Sequence, residues 1–205
     1  HLKEVDLILR STSSFMKKHK NQLTRIGKTM EDSQTLICND CPRNCNMARS
    51  LYANAVPLKT GFCRKAFQPT VARAALHHWE EPCISGTNGS GAVFFGGCNL
   101  QCVFCQNAEI SHRDSGIAVT PEILKKIYTD LISQGAHNIN LVTPTHYIRA
   151  VTESLDTRLS VPVIYNCGGY EKIETIRLLK DKIQIWLPDL KYLDEAAATR
   201  YGAAS

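Results

Sequence analysis

Three cysteines, Cys98, Cys102 and Cys105, lie with three and two residues between them, directly after the apolar pair Phe94-Phe95. A loop this tight can fold three thiolates around one compact inorganic centre. A [4Fe–4S] cube ordinarily takes four thiolates, so three with no fourth close by leave one iron open to a substrate or cofactor. Such a site would be reactive and not only a store for electrons. On spacing alone, a structural zinc ion with one distant ligand is the other reading.

Upstream, Cys38, Cys41 and Cys45 are followed by Gly61-Phe62-Cys63. These four cysteines form a thiolate set at metal-ligand spacing, with Pro42 and Gly61 supplying turns. The set suits a zinc tetrahedron or a second iron–sulfur cluster, and spacing does not choose between them. Arg43, Arg49, Arg64 and Lys65 either neutralise thiolate charge there or face solvent. Cys83 and Cys167 are expected to be small buried residues, with Cys83 the spare ligand. Adjacent His77 and His78 point different ways in regular structure and are expected at the surface. The cysteine total is nine, an odd number, and seven of them fall into two clusters, which fits metal ligation in a reducing compartment better than disulfides.

The elements that must position these residues follow in alternation. Ala92 to Phe95 reads as a strand entering the cysteine loop. Thr120-Pro121-Glu122 opens a helix with an N-cap and a proline at its first position, and Ile123, Leu124, Ile127, Leu131 and Ile132 form its apolar face. Strands are expected at 138–142, 161–165 and 183–187, and helices at 147–155, 171–179 and from Asp194. This alternation implies an α/β fold of parallel βα units. Its polar segments fall at strand carboxyl ends: the cysteine loop, Thr143-Pro144-Thr145-His146, Asn166-Cys167-Gly168-Gly169 and Asp189-Leu190-Lys191. That edge carries the active site in parallel α/β folds. Alternation sends Asp189 and Lys191 to the same side, where they form a charged pair. His146 is read as a proton donor or as a histidine bonded to loop backbone.

The chain divides into an N-terminal helical segment over 1–37, a Cys-rich metal-binding module and link over 38–90, and the βα region over 91–205. The net charge of +5 draws on Lys17, Lys18, Lys20, Arg25 and Lys28, a run read as a solvated helix face and not as a nucleic-acid patch. No leader and no long apolar span is visible, so a cytoplasmic protein without a membrane partner is expected.

With Phe104 before its last cysteine, the Cys98–Cys105 pattern resembles the signature of the radical S-adenosylmethionine superfamily. The wider string from Gly96 to Asn107 is similar to the branch of pyruvate formate-lyase activating enzymes. The segments Cys38–Cys45 and Gly61–Cys63 resemble the amino-terminal region of some homologues of those enzymes. The resemblance covers roughly residues 38–192 and implies the following. Cys98, Cys102 and Cys105 hold a [4Fe–4S] cluster, S-adenosylmethionine chelates the open iron, and Phe104 lies near its adenine. About six βα units form an incomplete TIM-like barrel; only four strands are readable, so the last units are expected to be missing. Where many relatives carry Gly-Gly-Glu, Thr143-Pro144-Thr145 stands, so the Thr143 hydroxyl or nearby carbonyls take the place of the acid. Asn166 contacts the ribose or methionine. Asp189 and Lys191, similar to the D-x-K element, position the cofactor or a peptide substrate. The implied reaction cleaves S-adenosylmethionine reductively and abstracts a hydrogen atom, in activating enzymes from a glycine of a glycyl-radical enzyme. The implied electron donor is a flavodoxin or ferredoxin. Two readings of other classes stand beside this one: a zinc protein that meets nucleic acid through its basic start, and a simple electron carrier.

Overall fold

The computed structural model describes residues 34–113 and 115–202. Residues 1–33 of the helical segment expected over 1–37, with its basic run, lie outside the described residues, and its last three residues form a strand instead of helix because they pair with a neighbouring strand.

Two antiparallel strands, β1 (Thr35–Ile37) and β2 (Ala48–Ser50), form a small separate sheet. The main sheet has six strands: β3 (Thr70–His77), β4 (Ser90–Phe95), β5 (Ile117–Ala118), β6 (Ile139–Val142), β7 (Val163–Cys167) and β8 (Ile185–Pro188). Their spatial order is β5-β3-β4-β6-β7-β8. The last four are parallel, and β3 runs antiparallel to both β4 and β5. The protein is thus a mixed α/β fold on a mostly parallel sheet that is open, with β5 and β8 at its edges.

The four expected strands are β4, β6, β7 and β8. The module and link expected over 38–90 held no predicted strand, yet the link carries β3, in which alanines and Arg73 dilute the apolar alternation that marks a strand. It also holds a short helix, α1 (Pro82–Ser85). A second short helix, α2 (Ala108–Ser111), follows the cysteine loop. Helix α3 (Pro121–Ser133) starts as expected, with the Thr120 hydroxyl accepting from the Ile123 N–H. Helices α4 (Ile148–Ser154), α5 (Ile173–Leu179) and α6 (Glu195–Gly202) complete the alternation.

Helix α3 buries Ile123, Leu124, Ile127, Tyr128 and Leu131 against one sheet face, where Val93, Phe95, Ile139, Leu141, Val163 and Tyr165 form the core. The Tyr128 and Ser154 hydroxyls, 3.1 Å apart, join α3 to α4. Register sets the other face. Phe94 pairs with Val142, Val142 with Asn166, and Asn166 with Leu187, making one row across four strands near their carboxyl ends. No helix among the described residues is long and apolar enough to cross a membrane.

Leu141 is fully buried in a central parallel strand. Leu141→Ala is expected to destabilise the protein by about 2–5 kcal/mol through the cavity it leaves. Urea titration should show a lower midpoint with an unchanged slope; a change under about 0.5 kcal/mol would refute this core assignment.

Candidate functional site

Strand β4 delivers the chain to Gly96 and Gly97, and the three cysteines follow. The loop turns twice through left-handed backbone, at Gly97 (φ 80°) and Gln101 (φ 53°). The Gln101 amide donates to the Phe62 carbonyl at 2.6 Å. The Leu100 N–H donates to Cys98 Sγ at 3.3 Å, and the Ser111 hydroxyl to Cys105 Sγ at 3.3 Å. Burial pushes the Cys98 thiol up, the backbone donors at Gln101 and Leu100 oppose this, and the nearby Cys102 and Cys105 reinforce it. Mutual repulsion of this kind is relieved when thiolates share a cation. Donors aimed at the sulfurs are a recognised control on iron–sulfur potential. Three thiols on one short loop, with such donors, have the chemistry of the cluster the sequence suggests.

Phe104 is 55% exposed, its ring 5.9 Å from that of Tyr192. One side of the ring is therefore packed and much of the remainder is open to a planar partner. Thr143 sits just past β6 with φ 59°, left-handed backbone that a β-branched residue rarely adopts. Such strain costs on the order of 1–3 kcal/mol and collects at functional positions. The Asn166 carbonyl holds it by accepting from the Thr143 N–H at 2.9 Å. Two predicted site residues are thus brought together. Asp189 and Lys191 form the expected pair; both are exposed, and such a pair contributes little to stability.

Sequence reasoning missed Glu171. It was placed at a helix start, where carboxylates are ordinarily solvated, but helix α5 begins two residues later. Instead Glu171 is drawn in beside β6 and β7, accepting from the Thr145 hydroxyl at 2.5 Å and the Tyr165 hydroxyl at 3.1 Å. Burial pushes its pKa up to about 7 even though these bonds favour the carboxylate. Asn99, within the cysteine loop, donates to the carbonyl of the preceding residue, Tyr170, at 3.1 Å.

The four upstream cysteines line one shared pocket, whose walls also include Arg49 and His146. Cys38 follows β1 and Arg49 lies within β2. Of the two alternatives for Arg49, facing thiols and facing solvent, it faces the thiols. It is fully buried, donating to the carbonyls of Lys65 (2.8 Å), Ala66 (2.5 Å) and His146 (2.9 Å) and, at 3.5 Å, to Cys38 Sγ. Burial works against its charge, but the facing Cys63 and Cys38 thiols raise its pKa overall. Burial lifts Cys41 to about 11 and also raises Cys63. Cys45 is drawn down despite burial, because the backbone N–H groups of Phe62 and Met47 favour its thiolate. Among the described residues, no three His, Cys, Asp or Glu side chains converge as for a single metal ion.

His146 is the loop-bonded histidine: its Nε2 lies 2.8 Å from the Gly96 carbonyl, and burial holds its pKa down at about 3. Cys167 is buried as expected. Cys83 is not: it is exposed on α1, a helix of four residues too short to cover it.

Residues 84–151 match the family described as a 4Fe-4S single cluster domain. That span contains Cys98, Cys102 and Cys105 and leaves the four upstream cysteines outside. Over 183 residues the chain is 27% identical to an uncharacterized protein of Methanocaldococcus jannaschii, covering 84% of this chain and 52% of that protein. The chain therefore spans about half the length of the curated relative it matches. No solved structure matches it.

The raised pKa of Glu171 has a signed consequence. Between the ordinary 4.5 and about 7 the folded state binds more protons at this site than the unfolded state does. Stability from this group is therefore greatest at low pH and falls as pH rises through that window, by at most about 3 kcal/mol. Glu171→Gln should remove this loss, so that wild type and variant diverge in melting temperature between pH 5 and pH 8. Parallel pH profiles would refute the burial of this carboxyl.

Proposed function

We propose that this chain is the iron–sulfur core of a radical S-adenosylmethionine protein, and that its open parallel sheet is part of an incomplete βα barrel. The observation that carries this reading is the cysteine loop itself. Three thiols stand at the carboxyl end of β4, within the span similar to a 4Fe-4S single cluster domain, beside a half-open aromatic ring. When bound, a [4Fe–4S] centre with one open iron supplies the electron that cleaves S-adenosylmethionine to methionine and a 5′-deoxyadenosyl radical.

The chain's own residues would do the rest. Cys98, Cys102 and Cys105 would hold three of the irons and leave the fourth without a protein ligand, free for the methionine amine and carboxylate. Phe104 offers its open face to the adenine, a stacking contact worth about 0.5–1.5 kcal/mol. Thr143, with the strained backbone that turns it out of β6, and Asn166, on the same strand-end row, offer polar atoms to the cofactor where relatives use an acid. Asp189 and Lys191 position the sulfonium or an incoming peptide. Cys38, Cys41, Cys45 and Cys63 hold a second metal centre. The substrate class is a peptide, such as a segment of a glycyl-radical enzyme, and reduction comes from a flavodoxin or ferredoxin.

The test is anaerobic. The chain is loaded with iron and sulfide, reduced, mixed with S-adenosylmethionine and assayed for 5′-deoxyadenosine by chromatography. Product is expected from the wild type, at background from Cys98→Ala, Cys102→Ala and Cys105→Ala, with about tenfold weaker cofactor binding in Phe104→Ala. An iron-loaded wild type that makes none overturns the enzyme reading in favour of an electron carrier.

A further inference from the structure

The two sets of thiols are neighbours. Gly97, immediately before Cys98, packs so closely on the upstream module that a methyl group on it would lie 2.6 Å from the Cys63 carbonyl oxygen and 3.2 Å from His146 Nε2. Its positive φ and this contact both require glycine. On either side the modules are clasped by hydrogen bonds. Arg43, between Cys41 and Cys45, donates through Nε (3.1 Å) and Nη2 (2.9 Å) to the carbonyl of Asn99, next to Cys98. Gln101 returns the contact to Phe62, next to Cys63. The loop bearing one thiol set therefore touches the other set's residues on both sides of Cys98.

The cavity between the four thiols has the chemistry of an anionic polynuclear centre. Arg49 places a fully buried guanidinium on the cavity wall, bonded to three carbonyls and a thiol. A buried cation is costly unless negative charge faces it, and the thiolates of a metal cluster would supply that charge. His146, only 1% exposed, spends Nε2–H on the Gly96 carbonyl, so Nδ1 carries a bare lone pair. That atom is buried without a hydrogen-bond partner, on a residue lining the same cavity.

We infer that Cys38, Cys41, Cys45 and Cys63 hold a redox-active iron–sulfur centre that passes single electrons across the Cys63–Gly97 contact to the centre on Cys98, Cys102 and Cys105. The inference rests on the proposed cluster at the latter loop. Each transfer moves one electron and no proton. A low-potential one-electron donor protein is oxidised, the four-cysteine centre is reduced, and it is reoxidised as the Cys98 centre gains the electron. Arg49, hydrogen-bonded to a ligand sulfur, would set the potential of the first of these centres.

The experiment is electron paramagnetic resonance on the anaerobically loaded, dithionite-reduced chain, with iron, zinc and acid-labile sulfide measured on the same samples. The wild type should hold twice the iron and sulfide of the triple variant Cys98→Ala/Cys102→Ala/Cys105→Ala. Its spectrum should be broadened by spin–spin interaction, and the broadening should vanish in the triple variant and in Cys38→Ala/Cys41→Ala. Zinc without sulfide on the upstream thiols overturns the inference, as do two signals whose power saturation ignores each other. Should Cys38→Ala/Cys41→Ala fail to fold, the wild type against the triple variant decides alone. Failure of the radical chemistry has a different signature: two coupled centres and no deoxyadenosine.

Discussion

Burying a guanidinium costs several kcal/mol unless every donor is satisfied and its charge is faced. The architecture meets both conditions at Arg49. Its donors reach Lys65 and Ala66 just ahead of β3, His146 in the turn after β6, and the Cys38 thiol. One side chain thus ties the small β1–β2 sheet, the entry to the main sheet and a strand-end turn into a single polar junction. The ring of Phe67 packs over the guanidinium at 4.5 Å. The junction adds to the contacts that Arg43 and Gln101 make between the four-cysteine module and the cysteine loop. Together they hold the module against the carboxyl end of β4, where the second set of cysteines emerges.

This placement makes the α/β scaffold and the cysteine chemistry one construction. Parallel strands bring their polar carboxyl ends to a common edge, and the upstream module closes that edge from one side. The C-terminal helix closes it from another. The Val103 N–H donates to the Tyr201 carbonyl at 2.9 Å, and Arg43 reaches the Gly202 carbonyl at 3.2 Å. The cysteine loop is therefore held by segments far before and far after it in the chain, as a site requiring a fixed ligand geometry demands. Phe104 and its neighbour Val103 are the large apolar side chains of that loop left exposed.

Polar groups drawn into this edge carry the remaining strain. Thr143 adopts left-handed backbone held by Asn166, and Glu171 is a carboxyl kept partly neutral between two hydroxyls. Neither arrangement is a low-energy choice for its residue, and both stand at strand ends. The exposed Asp189–Lys191 pair contrasts with them, since solvent screens it and little stability depends on it.

What the sequence determined by itself is local. The cysteine spacings specify two compact groups of thiols, the apolar periodicity specifies β4, β6, β7 and β8 with their helices, and Thr120-Pro121 specifies where α3 begins. Each depends on residues within a turn or two of one another. Tertiary structure decided the rest. The antiparallel β3 and the two-residue β5 exist only as partners of other strands, so their own pattern is too faint to read. The burial of Arg49, the neutral tendency of Glu171 and the seating of Cys63 on Gly97 arise from contacts between distant residues. The Arg43 bond to Asn99, spanning 56 positions, is of the same kind. Nothing in a spacing of three or four residues encodes such contacts, because burial and charge pairing belong to the packed whole.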